Sequence, residues 1–288
     1  MVRVKNGSGE HNLQQKTSLS SKSVPHGQTT IVGFDVDLMQ IKDRLFNEQQ
    51  SKLQIVPIVG MGGSGKTTLA MNVYVLENLT TILAVANFVC TDMVIRNIQN
   101  LKKLGIFFGV LMSYNYLSNL CGFSKLEKLK LSFQSPPYFT FLRNNTFPPS
   151  LKKITLDSCR FPWEFLSIFT SLPNLEVLKL HYAFIGPEWV PIEGEFPKLK
   201  FLQIWGTNLV HWRAEDNHFP SLEHLVLRNC LKLLEIPSSI GEIPTLETIK
   251  MDDSSPSAVD LAWQILEEQR NQGNDGLQLV VYPRRSEF

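Results

Sequence analysis

Between Leu101 and Met251 one arrangement of residues recurs seven times: an apolar residue, a second three positions on, and a third two further. The copies are Leu101/Leu104/Ile106, Leu126/Leu129/Leu131, Leu151/Ile154/Leu156, Leu175/Leu178/Leu180, Leu199/Leu202/Ile204, Leu222/Leu225/Leu227 and Leu246/Ile249/Met251. Their leading residues lie 25, 25, 24, 24, 23 and 24 apart. A generic core explains why these positions are apolar but not why they are periodic. A fixed period of this length demands a coil stacked on itself, each turn burying the apolar face of its neighbour.

The period and the wording are those of a leucine-rich repeat. In the third and sixth copies the eighth residue after the first Leu is Cys159 or Cys230, the Asn/Cys position of that pattern. The last two apolar residues of a copy, two apart, share one face of a short strand and point inward. Five copies carry a proline two residues before the first Leu (Pro149, Pro173, Pro197, Pro220, Pro244), which fixes an extended approach to the strand. The predicted fold class is α/β: a leucine-rich-repeat horseshoe preceded by a short phosphate-loop segment.

Composition narrows the partners. A net charge of +1 over 288 residues gives no overall electrostatic footprint for nucleic acid or an anionic membrane. Cys90, Cys121, Cys159 and Cys230 fall at no metal-ligand spacing, so free thiols in a reducing compartment are expected. His211 and His218 are expected to be solvated rather than ligands. The longest apolar runs, Ile82–Cys90 and Ile106–Met112, are too short to span a bilayer, and a soluble, cytoplasmic chain without a signal segment is expected.

Residues 1–30, rich in Ser, Gln, Lys and Gly, read as a disordered linker. Leu38, Ile41, Leu45 and Phe46 then recur at helical spacing over Val36–Phe46, with Asp35 or Asp37 as a cap. The apolar run Leu53–Val59 suits a buried strand. It leads into Gly60-Met61-Gly62-Gly63-Ser64-Gly65-Lys66-Thr67-Thr68 and a helix-compatible Leu69–Tyr74. This is a complete phosphate-binding loop in its strand-to-helix setting. Its glycines let backbone N–H groups converge on a phosphate, and the helix N-terminus adds positive potential. Lys66 supplies a point charge and Thr67 a hydroxyl for Mg²⁺.

The segments Val32-Gly33-Phe34-Asp35 and Ile55–Ala70, followed by repeats worded like His218–Leu225 and Cys230–Pro237, resemble the plant nucleotide-binding leucine-rich-repeat resistance proteins of late-blight type. The resemblance covers most of residues 31–282. It implies ADP/ATP binding with Mg²⁺ by Val32, Gly33 and the loop Gly60–Thr68, and a role in plant defence, including the hypersensitive response. In that family a strand-end acidic pair, a sensor arginine, a Gly-Leu-Pro-Leu segment and a Met-His-Asp segment follow the loop, and a coiled-coil domain precedes it. None is present here, as in an internally deleted member joined between Tyr74 and Asn97. Asp92, ending the run Ala84–Thr91, has the form of an Mg²⁺-holding strand end, but this run is expected rather to lead into the first repeat. Without an acidic partner, binding but not hydrolysis is expected.

The residues between the inward ones belong to the concave face. One column reads Phe107, Ser132, Asp157, His181, Trp205, Arg228, Asp252; the next reads Phe108, Phe133, Ser158, Tyr182, Gly206, Asn229, Asp253. Aromatics interleaved with Arg and His suit a protein partner, with Phe107, Phe133, His181, Tyr182, Trp205 and Arg228 as candidates. The other reading tucks several of them against their neighbours. A helical stripe, Ala258, Ala262, Ile265 and Leu266, and a strand over Leu277–Tyr282 then close the array. The expected domains are a linker (1–30), a nucleotide-binding remnant (31–95), repeats (96–256) and a cap (257–288). A repeat-based binding module with a phosphate loop is the expected function. A nucleotide-dependent switch or weak ATPase, and a gene fragment without retained function, are the alternatives.

Overall fold

The computed structural model describes residues 79–86, 88–109, 117, 119–137 and 146–282, together with Gln40. Gln40, inside the predicted helix, is helical; the rest of the predicted linker, helix, strand and phosphate loop lies outside the described residues.

Nine strands form one wholly parallel sheet in which each strand pairs with the next coil's. They are β1 (Thr81–Ala86), β2 (Lys103–Phe108), β3 (Lys128–Phe133), β4 (Lys153–Asp157), β6 (Val177–His181), β9 (Phe201–Trp205), β11 (His224–Arg228), β12 (Thr248–Asp252) and β13 (Gln278–Tyr282). The seven predicted copies supply β2 through β12. The strand predicted over Leu277–Tyr282 is β13, and β1 extends the sheet upstream of the first copy. Every residue of the seven apolar triplets is buried, none more than 5% exposed. Between coils, the remaining short strands pair in parallel: β5 (Phe161–Pro162) with β7 (Phe184–Ile185), and β8 (Glu188–Trp189) with β10 (His211–Trp212).

Register is fixed where each strand begins. The carbonyl oxygens of Lys102, Glu127, Lys152, Glu176, Lys200 and Glu223 each accept two N–H groups of the next coil, as Lys102 does from Glu127 and Lys128. The same residues put alternating charges side by side, with Lys152–Glu127 at 3.8 Å and Lys200–Glu223 at 2.7 Å. Cross-strand opposite charges oppose a register slip. The residue after the proline ties neighbouring coils again. Ser150, Ser221 and Thr245 hydroxyls donate to Leu126, Pro197 and Leu222 carbonyls, and Asn174 Nδ2 donates to that of Pro149.

How a strand ends decides which way the following side chain goes. From the third copy onward the residue after the strand has positive φ: Ser158, Tyr182, Gly206, Asn229 and Asp253, between 48° and 69°. The N–H groups of Ser158, Tyr182, Gly206 and Asn229 then donate to the strand-end carbonyl of the next coil. In the first two copies the strand runs a sixth residue instead, and strict alternation sends that residue inward. Phe108 and Phe133 are therefore buried and stacked, ring centroids 4.9 Å apart. This corrects the reading of Phe133 as an exposed partner-binding residue.

Cys159 and Cys230 lie just past that turn, fully buried, and the Cys230 thiol faces the Arg228 carbonyl at 3.4 Å. Thr207 and Ser254 occupy the equivalent place and donate to Phe184 and Leu227 carbonyls. All four cysteines are free, and only Cys121 is exposed. Burial pushes the Cys90 and Cys230 thiols up to about 12 and raises Cys159 well above its ordinary value. Since the thiolate is the reactive form, an aromatic disulfide reagent at pH 8 is expected to label Cys121 alone in the native chain. All four should react after unfolding, and rapid labelling of a second native thiol would contradict the burial.

The closing helix, Pro256–Asn271, starts where Ser255 accepts from the Ala258 N–H and Pro256 occupies the first turn. Its predicted stripe, Ala258, Ala262, Ile265 and Leu266, is buried.

Candidate interaction face

Val32, Gly33, Gly60, Met61, Gly62, Gly63, Ser64, Gly65, Lys66, Thr67 and Thr68 all lie outside the described residues. Asp92 does not stand at a strand end. It opens the helix Asp92–Asn97, behind an N-cap from Thr91, and its carboxylate accepts from Asn119 Nδ2 at 3.1 Å. A carboxylate so engaged is not the metal-holding strand end that phosphoryl transfer uses. Of the run before it, Ala84–Ala86 end β1, which pairs with β2 of the first repeat.

On the solvent face of the sheet, the middle positions of β4, β9 and β11 are covered by their neighbours: Thr155, Gln203 and Val226 are buried, whereas Lys130 on β3 is exposed. On β4, β6, β9, β11 and β12 the last position and the positive-φ residue after it are more open, as is Phe107 near the end of β2. Trp205 is 37% exposed, Tyr182 41% and Phe107 40%. His181 meets the Trp205 ring edge-on at 5.2 Å, and the Tyr182 ring lies 6.0 Å from it. Asn229 Nδ2 donates to the Tyr182 hydroxyl at 3.4 Å, and Arg228 Nε lies 3.4 Å from an Asp252 oxygen. Burial pushes His181 below its ordinary range, partly opposed by Asp157, while Lys130, Lys179 and Arg228 lower it further. His181, Tyr182, Trp205 and Arg228 thus form one connected group on adjacent strands, with Phe107 apart from them on β2. Gly206, at φ 69°, leaves the space that the Tyr182 ring fills; a Cβ there would collide with it.

Two features carried no usable sequence signal. Trp163, Trp189 and Trp212 stack through three successive coils, with centroids 4.8 Å and then 5.2 Å apart. Their spacings, 26 and 23, fall in the variable part of the repeat, where no alternation marks a residue as inward. His218, expected to be solvated, is buried and accepts the Glu215 N–H at Nδ1, 2.6 Å away. A capping role depends on a short 3₁₀ turn, Asp216–His218, that composition does not announce. Among the described residues no cluster of His, Cys, Asp or Glu could hold a metal, and no helix is long and apolar enough to cross a membrane.

Comparison with known proteins bears on both halves of the chain. The NB-ARC domain family matches residues 34–87, a span that contains β1. The chain is 32% identical over 247 residues to a late blight resistance protein homolog of Solanum demissum, across 82% of this chain and 18% of that protein. It is 34% identical over 195 residues to a second such homolog of the same species, across 66% of this chain and 15% of that one. The chain thus spans less than a fifth of the length of either relative. Among solved structures, internalin C2 of Listeria monocytogenes aligns with a TM-score of 0.43 and 18% identity, over 72% of this chain and 82% of that one. The leucine-rich repeat domain of the type III effector XopL aligns with a TM-score of 0.38 and 15% identity, over 90% and 98%. With an NB-ARC segment leading into parallel coils of leucine-rich wording, and with such relatives across most of its residues, the chain belongs to the plant nucleotide-binding leucine-rich-repeat family of late-blight-resistance type.

Proposed function

We propose that this chain is a disease-resistance homologue that works as a protein-binding module through the solvent face of its repeat sheet. The supporting observation is the exposed pair Tyr182 and Trp205, bracketed by His181 and by the Arg228–Asp252 ion pair on strands of fixed register. Tyr, Trp and Arg dominate the energetics of protein interfaces when held rigidly and then covered. Quantitative affinity capture from plant leaf extract tests this. Proteins retained by the wild-type chain are expected to be lost from Tyr182→Ala/Trp205→Ala, with circular dichroism unchanged. An identical set retained by both would refute the reading.

The phosphate loop and the NB-ARC match favour a second element, binding of ADP or ATP with Mg²⁺ at Gly60–Thr68. Calorimetric titration is expected to show saturable nucleotide binding to the wild type. Lys66→Ala, which removes the charge on the phosphates, is expected to abolish the heat. No binding by a folded wild-type chain would leave the repeats as its working part.

A further inference from the structure

We propose that the end of the repeat sheet formed by β2, β3, β4 and β6 docks an acidic peptide segment of a partner protein. This deepens the reading of the sheet face as a protein-binding surface and rests on it. Lys103, Lys128 and Lys153 pair directly across β2, β3 and β4, so their side chains leave the sheet at neighbouring points about 4.8 Å apart. Lys130 and Lys179 stand on either side of Thr155, two residues further along the same face. Among the described residues none of Lys103, Lys128 and Lys153 has a carboxylate within ion-pair distance, and Asp157 reaches only Lys130, at 3.9 Å.

The contrast with the row one residue earlier gives this meaning. There Lys102, Glu127, Lys152 and Glu176, each just ahead of one of the same strands, alternate in sign, and Lys152 pairs with Glu127 at 3.8 Å. In the lysine row three like charges face one another, an arrangement that opposes folding. The Lys153 ammonium is accordingly held below its ordinary value by burial, by Lys179 and by Lys128. Carboxylates seated between these ammonium groups would convert each repulsion into an attraction. The row is short and local: the chain carries a net charge of only +1, and Asp252 and Asp253 lie at the far end of the face. An extended phosphate backbone would meet both ends, whereas a short acidic stretch meets only the lysines. Trp205 stands two strands beyond Lys153 and at the opposite strand end, roughly 16 Å away, a span that five or six extended residues of the same peptide cover.

Fluorescence anisotropy of a labelled peptide of about ten glutamates, titrated with the full chain at low and moderate salt, tests the assignment. The wild type is expected to bind, with affinity falling as salt rises. Lys128→Gln/Lys153→Gln is expected to weaken binding about tenfold or more, since two charge contacts are lost. It should not lower the melting temperature, because like-charge repulsion is removed. Lys198→Gln/Lys232→Gln, outside the row, should bind as the wild type. Equal binding by Lys128→Gln/Lys153→Gln, no binding by the wild type, or preference for a single-stranded oligonucleotide of similar length would overturn the proposal. If the glutamate peptide fails while Tyr182→Ala/Trp205→Ala still loses captured proteins, the assignment of an acidic partner falls and the binding module stands.

Discussion

Trp189→Ala is expected to lower the stability of the repeat array by about 4 kcal/mol, the usual cost of emptying a large aromatic site in a packed interior. Trp189 is the middle member of the indole stack. It lies nearly parallel to Trp163, at 12°, and to Trp212, at 6°, and meets Phe219 edge-on at 5.8 Å. The truncation therefore removes two stacked faces and one edge contact at once, and leaves a cavity that three rigid rings cannot close. It also loosens these coils away from the main sheet, where the backbone pairing of β8 with β10 is only two residues long. The denaturant midpoint is expected to fall with it, and the melting temperature by about 10 °C. Trp189→Phe, which keeps an aromatic ring in the stack, should lose well under half as much. Equal losses for the two variants would mean that a smaller ring preserves nothing of the stack.

Ala262→Asp is expected to release the closing helix. Ala262 is fully buried, and the helix approaches the turn Ser238–Glu242 closely enough that a Cβ on Gly241 would sit 2.5 Å from Ile265 Cγ2. An aspartate in that apolar seam must either bury its charge or push the helix away. Leaving a charge buried and unpaired costs about 3–5 kcal/mol, more than the cap alone is expected to withstand. Because each coil touches only its neighbours, the damage should begin at the C-terminal end and spread inward. Limited proteolysis is expected to cut first beyond Met251 and to spare the earlier coils. Uniform cleavage along the array would indicate a single cooperative unit instead.

The period alone was enough to place every inward leucine, because a solenoid repeats one local solution and the apolar triplet marks it each time. The closing helix was legible for a similar reason: its stripe at 258, 262, 265 and 266 has helical spacing and is buried. Where the period carries no polarity pattern, as in the segments holding Trp163, Trp189 and Trp212, nothing in the chain distinguished a stacked indole from a surface one. The phosphate loop was legible as a motif, but its chemistry depends on an acidic partner, and Asp92, the local candidate, opens a helix instead.

The parallel, coiled architecture, the buried ladder and the family all follow from the order and spacing of residue types along the chain. Which side chains reach solvent at the strand ends does not; it depends on contacts between coils. Phe133 goes inward and Tyr182 outward because one strand continues for a sixth residue while the other turns through a left-handed residue after its fifth. That turn is held by a hydrogen bond to the next coil, from the Tyr182 N–H to the Trp205 carbonyl. The lysine row arises in the same way. A net charge of +1 conceals it, and only the fixed register of neighbouring coils brings Lys103, Lys128 and Lys153 side by side.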